Sequence, residues 1–121
     1  MKIILDTNAV VHYILNDIPE QTKIIENTIN NYRVLILPEV VYESIHIFCK
    51  FYDFPRADVA KSLIEFLEDN GNNNAYLEKA LHVFRDTQFD FIDCMLFAYS
   101  HDFKVLTFDK KLNSLISRGS I

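Results

Sequence analysis

Four acidic side chains stand beside apolar segments, in places where a folded chain could bring them to one site. Asp6 directly follows the opening run "MKIIL", and Asp109 directly follows "KVLTF". Glu43 lies within the helix predicted after the apolar run "RVLIL". Asp93 lies in the first turn of another predicted helix, where the positive end of the helix dipole favours an anion. In a parallel α/β sheet, ligands gather beyond the carboxyl ends of the strands, so all four positions are compatible with one acidic site.

Carboxylates drawn together in this way are suited to binding a metal ion. Mg²⁺ and Mn²⁺ prefer hard oxygen ligands and keep several of their waters. A divalent cation would remove the repulsion among the acids, and it can activate water and stabilise charge on a scissile phosphate. The only glycines are Gly71 and Gly119, which excludes the G-x-G-x-x-G, Walker and G-x-S-x-G motifs. The pattern therefore favours metal-assisted hydrolysis over chemistry with a nucleotide cofactor.

Each acid also has a purely structural interpretation. Asp6 could cap the next helix, and Asp109 could be a turn residue after a strand. Asp93 could only offset the helix dipole, and Glu43 could be a solvated residue paired with Lys50. The two interpretations stay open on spacing alone. One detail favours the functional one, because Asp93 is followed by the apolar helix interior "CMLFAY", where a purely solvated acid is less expected.

The composition is that of a globular protein with one domain over residues 1–121. Half of the 121 residues are hydrophobic and 24% are charged. No apolar run approaches the roughly 20 residues that a membrane helix needs. The start "MKIILDTN" lacks a signal peptide, so a cytoplasmic location is expected by default. Cys49 and Cys94 lie in apolar stretches without zinc-binding spacing, and we expect both to be buried free thiols.

The net charge of −5, from 17 acidic and 12 basic side chains, bears on nucleic-acid binding. A nonspecific binder needs clustered Lys and Arg for its phosphate contacts, so this balance argues against one. Metal cations held by several of the acids would reverse the local field at the site. The charge therefore weakens a nucleic-acid function but leaves it open.

Short apolar runs predict three strands, over Lys2–Leu5, Arg33–Leu37 and Lys104–Phe108. Pro19 and Pro38 each suit the first turn of a helix. Apolar residues at helical spacing predict helices over residues 9–15, 19–31, 38–52, 56–70, 75–86, 90–101 and 110–116. Strands that alternate with helices predict an α/β fold with a parallel sheet.

Several of these motifs together resemble the PIN-domain ribonucleases, particularly the VapC-like toxins. The resemblance rests on "LDTN", an isolated Glu on the helix after the second strand, "DFIDCMLFAYS" and "VLTFDKKL", in the family's order along nearly the whole chain. The run from Asp90 to Leu112 is the most specific part. The resemblance implies a three-layer α/β/α sandwich around a parallel sheet of four or five strands. It also implies an endoribonuclease that cleaves RNA phosphodiesters with Mg²⁺ or Mn²⁺.

The resemblance also implies roles for individual residues. The catalytic and metal-binding acids would be Asp6, Glu43, Asp93 and Asp109. The groups that orient those ligands through hydrogen bonds would be Thr7, Asn8 and Thr107. Asp90, three residues before Asp93, is either a helix cap or a further metal ligand, and we favour the cap because Asp is a common capping residue.

Other polar and aromatic residues give weaker signals. Lys110 and Lys111 could contact RNA phosphates, or they could be solvated lysines at the start of a helix. His46 lies three residues after Glu43, and we expect a partly buried structural histidine in preference to a metal ligand. An aromatic cluster beside Cys49 is expected to be core or a protein interface, not a base-stacking platform; it comprises Phe48, Phe51, Tyr52 and Phe54.

The biological role that the resemblance implies is the toxin half of a toxin–antitoxin pair. On this hypothesis the substrate is RNA, the protein is a homodimer, and a small antitoxin lies across the acidic cleft. Two alternatives stay open: a PIN-type nuclease in RNA or DNA processing without an antitoxin, and a catalytically inactive α/β binding module.

Overall fold

A computed structural model of the chain describes residues 2–72 and 74–120. The contacts within the chain separate it into two compact units, Met1–Asn73 and Asn74–Ile121. The first unit contains a small sheet and four α-helices, and the second unit contains three α-helices. The single domain over residues 1–121 stays a prediction.

The sheet of the first unit pairs two short strands in parallel. β1 (Lys2–Ile4) and β2 (Arg33–Leu35) run side by side, with Ile3 opposite Val34 in the register. A parallel pair needs a long crossover between its strands, and two helices provide it here, α1 (Thr7–Leu15) and α2 (Pro19–Asn31). The first two predicted strands and their parallel arrangement are therefore confirmed, although each strand is shorter than predicted.

The third helix of the first unit changes its winding before it ends. α3 (Pro38–His46) starts at the predicted proline, but the next five residues, Ile47–Phe51, form a π-helical turn. Asp53 then adopts a left-handed conformation with φ of 55°. α4 (Arg56–Asp69) follows and packs against both α3 and the π-helical turn. The predicted continuous helix over residues 38–52 is thus α-helical only in its first part.

Apolar helix faces form the core of the first unit. α1 packs against α2 and α3, and α3 packs against α4. Fully buried side chains on three of these helices include Val10, Val41, Leu63 and Leu67. Of the aromatic cluster, Phe48 is buried, whereas Phe51, Tyr52 and Phe54 are exposed. The core interpretation therefore holds for Phe48, and the interface interpretation stays a prediction for the other three.

The second unit is helical throughout its described elements. It comprises α5 (Ala75–Asp86), α6 (Phe91–Tyr99) and α7 (Lys110–Arg118). α6 packs against α5 and α7. The buried side chains at these contacts include Leu81, Phe97, Leu112 and Leu115. The predicted helix over residues 75–86 is confirmed at both ends, and Asn74 caps it by accepting a hydrogen bond from the Leu77 N–H at 3.1 Å.

The predicted third strand, Lys104–Phe108, forms no strand within the described residues. Its Leu106 and Phe108 side chains are 86% and 92% exposed. A strand needs a neighbour with which to share its backbone hydrogen bonds, and the described elements of its own unit are all helices. The sheet of the described residues therefore has two strands, and a sandwich around four or five strands is not confirmed.

Two further sequence predictions concern the burial of the cysteines and membrane-spanning helices. Neither cysteine is part of a disulfide; Cys94 is buried as predicted, whereas Cys49 is only half-buried. Burial raises the pKa of the Cys49 thiol, and the nearby Arg56 and Lys50 partly oppose that effect. Among the described residues, no helix is both long enough and apolar enough to cross a membrane.

Candidate functional site

Asp6 occupies the junction between β1 and α1. Its Oδ1 atom accepts a hydrogen bond from the Ala9 N–H at 2.9 Å, so Asp6 is the N-cap of α1. The structural interpretation of Asp6 as a helix cap is therefore confirmed. Asp6 and Asn8 are exposed and Thr7 is buried. The cap uses one carboxylate oxygen, and an exposed carboxylate has a second oxygen that can bind a cation. The structural and functional interpretations of Asp6 are therefore compatible.

Glu43 projects from the exposed side of α3. Its neighbour Ser44 is fully buried and donates a hydrogen bond from Oγ to the Val40 carbonyl at 2.7 Å. Burial of Ser44 and Val41 fixes the rotation of the helix and leaves Glu43 exposed. His46, one turn further on, is also exposed, so the interpretation of His46 as a partly buried structural histidine is wrong.

Two further acids cap helices in the second unit. Asp90 accepts a hydrogen bond from the Asp93 N–H at 2.9 Å, which confirms the favoured role of Asp90 as a cap. Asp109 accepts one from the Leu112 N–H at 2.9 Å and caps α7. The Asp109 N–H in turn donates to Thr107 Oγ at 3.1 Å, so the threonine hydroxyl holds the turn that presents Asp109.

The carboxyl group of Asp93 is perturbed by its surroundings. Burial raises the pKa of Asp93, and the negative charges of Asp90 and Asp109 raise it further. The Asp93 carboxylate is therefore repelled by both Asp90 and Asp109, which cap α6 and α7. A divalent cation would reverse the sign of that interaction, and carboxylate oxygens are the donors that Mg²⁺ and Mn²⁺ prefer. The donor chemistry fits the expected metal.

The proposed ligands divide between the two units. Asp6 and Glu43 belong to the first unit, and Asp93 and Asp109 belong to the second, together with Asp90. Within the described residues of either unit, no three His, Cys, Asp or Glu side chains form a group that could hold a metal ion.

A cavity beside α1 contains functional candidates that the sequence did not reveal. It has a volume of about 470 Å³, and its lining includes His12, His46, Lys50, Phe51 and Tyr52. These residues come from α1, α3 and the π-helical turn with the residue that follows it, and no spacing pattern in the sequence links them. The aromatic cluster that includes Phe51 is a signal in the sequence, but its pattern indicates core or interface. Lys110 and Lys111 are exposed, as either interpretation of them requires.

Comparison with known proteins gives the class of this chain. The model of the PIN domain family matches residues 3–116, so the chain belongs to the PIN domain family. PIN domains are α/β proteins and are generally metal-dependent nucleases, which supports a hydrolase that binds nucleic acid. No curated protein and no solved structure matches the chain significantly.

Proposed function

We propose that this PIN-domain protein is a Mg²⁺- or Mn²⁺-dependent endoribonuclease, with Asp6, Glu43, Asp93 and Asp109 as the acids that hold the cation. The observation that carries the proposal is the family match over residues 3–116, which spans all four positions. The raised pKa of Asp93 supports it, because like charges gathered without a counterion are destabilising and are typical of functional sites.

The chain's own residues would prepare the site for a cation and a substrate. When bound, the cation would supply Lewis acidity toward water and the scissile phosphate. Asp6 and Asp109 are held in place by their capping hydrogen bonds, so their orientation is fixed before any ligand arrives. The hydroxyl of Thr107 supports Asp109 by accepting a hydrogen bond from the Asp109 N–H. Lys110 and Lys111, exposed in the first turn of α7, would contact phosphates of the RNA.

Cleavage of an end-labelled single-stranded RNA tests this proposal. We expect cleavage with Mn²⁺ or Mg²⁺ that EDTA abolishes. The variants Asp6→Asn, Glu43→Gln and Asp93→Asn should each lose more than about 100-fold in rate, because even outer-shell partners of metal ligands cost about 10- to 100-fold. Glu39→Gln is the matched control, since Glu39 is an exposed glutamate on the same helix as Glu43. Cleavage that survives in the three variants would overturn the assignment.

We further propose that the nuclease is the toxin of a toxin–antitoxin pair and acts as a homodimer. Induced expression should arrest growth, and the Asp93→Asn variant should not. Co-expression of the product of a small neighbouring open reading frame should restore growth. If expression is harmless and no such reading frame exists, a PIN-type nuclease in RNA or DNA processing becomes the better hypothesis.

A second candidate function is a catalytically inactive α/β binding module. The absence of a three-ligand group within the described residues of either unit favours it. This candidate predicts that Mn²⁺ does not bind. Titration calorimetry separates the two functions: heat of Mn²⁺ binding that is lost in Asp93→Asn supports the nuclease, and no heat together with no cleavage supports the module.

A further inference from the structure

The cavity beside α1 differs in chemistry from the rest of this acidic protein. The chain carries a net charge of −5, yet no carboxylate occurs among the described residues that line the cavity. Instead the lining combines the Lys50 ammonium and the imidazoles of His12 and His46 with two aromatic rings. At about 470 Å³ the cavity lies within the range of small-molecule and cofactor pockets. Its charge and its aromatic content both favour an anionic ligand that has a flat ring.

The aromatic rings of the cavity, Phe51 and Tyr52, lie at the outer end of a row of rings that reaches the buried Phe48. Phe51 is 80% exposed and meets Tyr52 edge-on, with ring centroids 5.1 Å apart. Tyr52 stacks on Phe54 at 5.5 Å with only 13° between the rings. Phe54 in turn contacts the buried Phe48 at 6.1 Å. The row therefore holds an exposed ring in a fixed orientation, which lowers the entropy that a stacking ligand would have to remove.

The backbone adopts two uncommon conformations to present these rings. The Tyr52 N–H donates to the Ile47 carbonyl at 3.1 Å, five residues back, which is the spacing of a π-helical turn. Asp53 follows with a positive φ of 55°. π-helical turns are rare and frequently occur at functional sites, and left-handed non-glycine residues carry a conformational cost. An α-helix continued through this segment would place Phe51 on a different side of the helix.

The polar wall of the cavity can bind a phosphate. The Nδ1 atom of His12 lies 2.8 Å from Oδ1 of Asp17. A carboxylate only accepts hydrogen bonds, so Nδ1 carries the proton, and the ring orientation is fixed by the pair. Lys50 is exposed and immediately precedes Phe51, which places a positive charge next to the outermost ring. A phosphate joined to a stacked base would meet the Lys50 ammonium here.

We propose that this cavity binds one unpaired nucleotide of a single-stranded RNA, with the base stacked on Phe51 and Tyr52 and the phosphate contacted by Lys50. That the RNA is also the substrate rests on the proposed function. Asn8 lines the cavity two residues after Asp6, and His46 lines it three residues after Glu43 on α3. Residues three apart on a helix are neighbours about 5–6 Å apart, so a nucleotide bound beside His46 would lie next to Glu43. The cavity would then set which phosphate is presented for cleavage.

Binding of an oligouridine of about ten nucleotides, followed by fluorescence anisotropy in EDTA, tests the proposal without requiring catalysis. Phe51→Leu retains an apolar side chain but removes the ring, and it should weaken binding roughly 5- to 100-fold, the range that a lost stacked base gives. Lys50→Ala should also weaken binding. The matched controls are Tyr42→Leu, an exposed ring outside the cavity lining, and Lys23→Ala, and both should bind as the native chain does.

An oligonucleotide of the same length whose sugars lack bases separates stacking from charge. The native chain should bind it as weakly as Phe51→Leu does, and Phe51→Leu should no longer distinguish the two oligonucleotides. Equal affinity of the native chain for both would overturn the proposal. Normal binding of oligouridine by Phe51→Leu would also overturn it. If that variant binds RNA normally but dissociates a dimer in analytical ultracentrifugation, the ring belongs to a protein interface.

The cleavage assay keeps this inference apart from the proposed function. Asp93→Asn should bind oligouridine normally while it loses cleavage. If cleavage is present but Phe51→Leu changes neither affinity nor cleavage position, the inference fails and the nuclease stands. If no metal supports cleavage but base-dependent binding is lost in Phe51→Leu, the nuclease fails and the nucleotide site stands.

Discussion

The Asp93 carboxyl carries the clearest electrostatic signature of any proposed ligand. Its raised pKa arises first from burial and then from Asp90 and Asp109, all of which disfavour the charged form. A raised pKa in the folded state means that the ionised carboxylate destabilises the fold. The penalty is absent while the carboxyl is protonated, and it develops as the pH rises from the ordinary aspartate pKa through the raised one. At neutral pH the penalty is fully present.

Asp93→Asn should therefore stabilise the metal-free protein at neutral pH while it abolishes activity. We expect the Tm to rise at about pH 7, and the gain to vanish at about pH 3, where the native carboxyl is also neutral. Thermal melts in EDTA at the two pH values measure the difference. A Tm that falls at neutral pH would show that Asp93 contributes a favourable contact to the fold.

Asp109 has two roles that substitutions can separate, because asparagine caps helices about as well as aspartate. Asp109→Asn should leave the free energy of unfolding nearly unchanged, whereas Asp109→Ala should lower it by about 1 kcal/mol. Both variants should lose cleavage, since neither retains the carboxylate. Urea unfolding and the RNA assay measure the two effects. Normal cleavage by Asp109→Asn would restrict this residue to capping.

At the scale of the elements, the π-helical turn and the residues that follow it decide what the first unit exposes. The hydrogen bonds shift by one residue at Ile47, and Asp53 absorbs the change of direction in a left-handed conformation. Only glycine adopts that conformation without steric cost, although asparagine and aspartate tolerate it better than other residues. The aromatic row therefore depends on a backbone position with a narrow choice of side chains.

Substitutions at Asp53 should show how narrow this choice is. Asp53→Gly should match or exceed the native stability, whereas Asp53→Val should lower the free energy of unfolding by about 1–2 kcal/mol, because a β-branched side chain is strained at positive φ. Denaturant unfolding gives the two values. Similar stabilities for both variants would contradict the left-handed conformation at this residue.

The helices and strands also show which parts of the fold can be predicted from the sequence. The helices α2 and α5 were predicted with their observed ends, because local signals mark them: Pro19 in the first turn of one and a polar break before the other. The π-helical turn has no such signal, since tertiary packing determines it. The strand predicted at Lys104–Phe108 also failed to form, because an apolar run shows that a segment can be a strand but not which strand it pairs with.

The features of the candidate site likewise separate into those that the sequence predicts and those that it does not. The four acids were identified from their positions beside apolar runs, and the caps at Asp6, Asp90 and Asp109 follow from residue type. The perturbation of Asp93 could not be predicted, because it requires α6 and α7 to bring their N-termini together. The cavity at His12 and Lys50 was missed since its lining comes from separate elements.

At the scale of the whole molecule, the net charge of −5 limits how the protein can hold RNA. At long range the negatively charged protein repels the phosphates of RNA. Affinity must therefore come from a few local contacts and from base stacking. Binding of this kind releases few counterions from the nucleic acid. The salt dependence of binding should therefore be shallow.

A titration of oligouridine at several KCl concentrations tests this consequence of the charge. With about one to three phosphates contacted, log Kobs should fall against log[KCl] with a slope between about −0.7 and −2. Lys50→Ala should make the slope less steep by roughly 0.7, while Lys23→Ala should leave it unchanged. A slope much steeper than −2 would mean that the RNA contacts more basic side chains than the cavity provides.

The exposed segment at Leu106 and Phe108 has a practical consequence for handling the protein. It combines strand-forming residues with bare apolar side chains, which is the signature of an aggregation-prone stretch. This stretch is preceded by Lys104 and followed by Lys110 and Lys111. Charged residues that flank such a stretch act as gatekeepers, because their repulsion keeps the stretches of different molecules apart. Concentrated preparations should stay clear in low salt and turn turbid when salt screens those lysines.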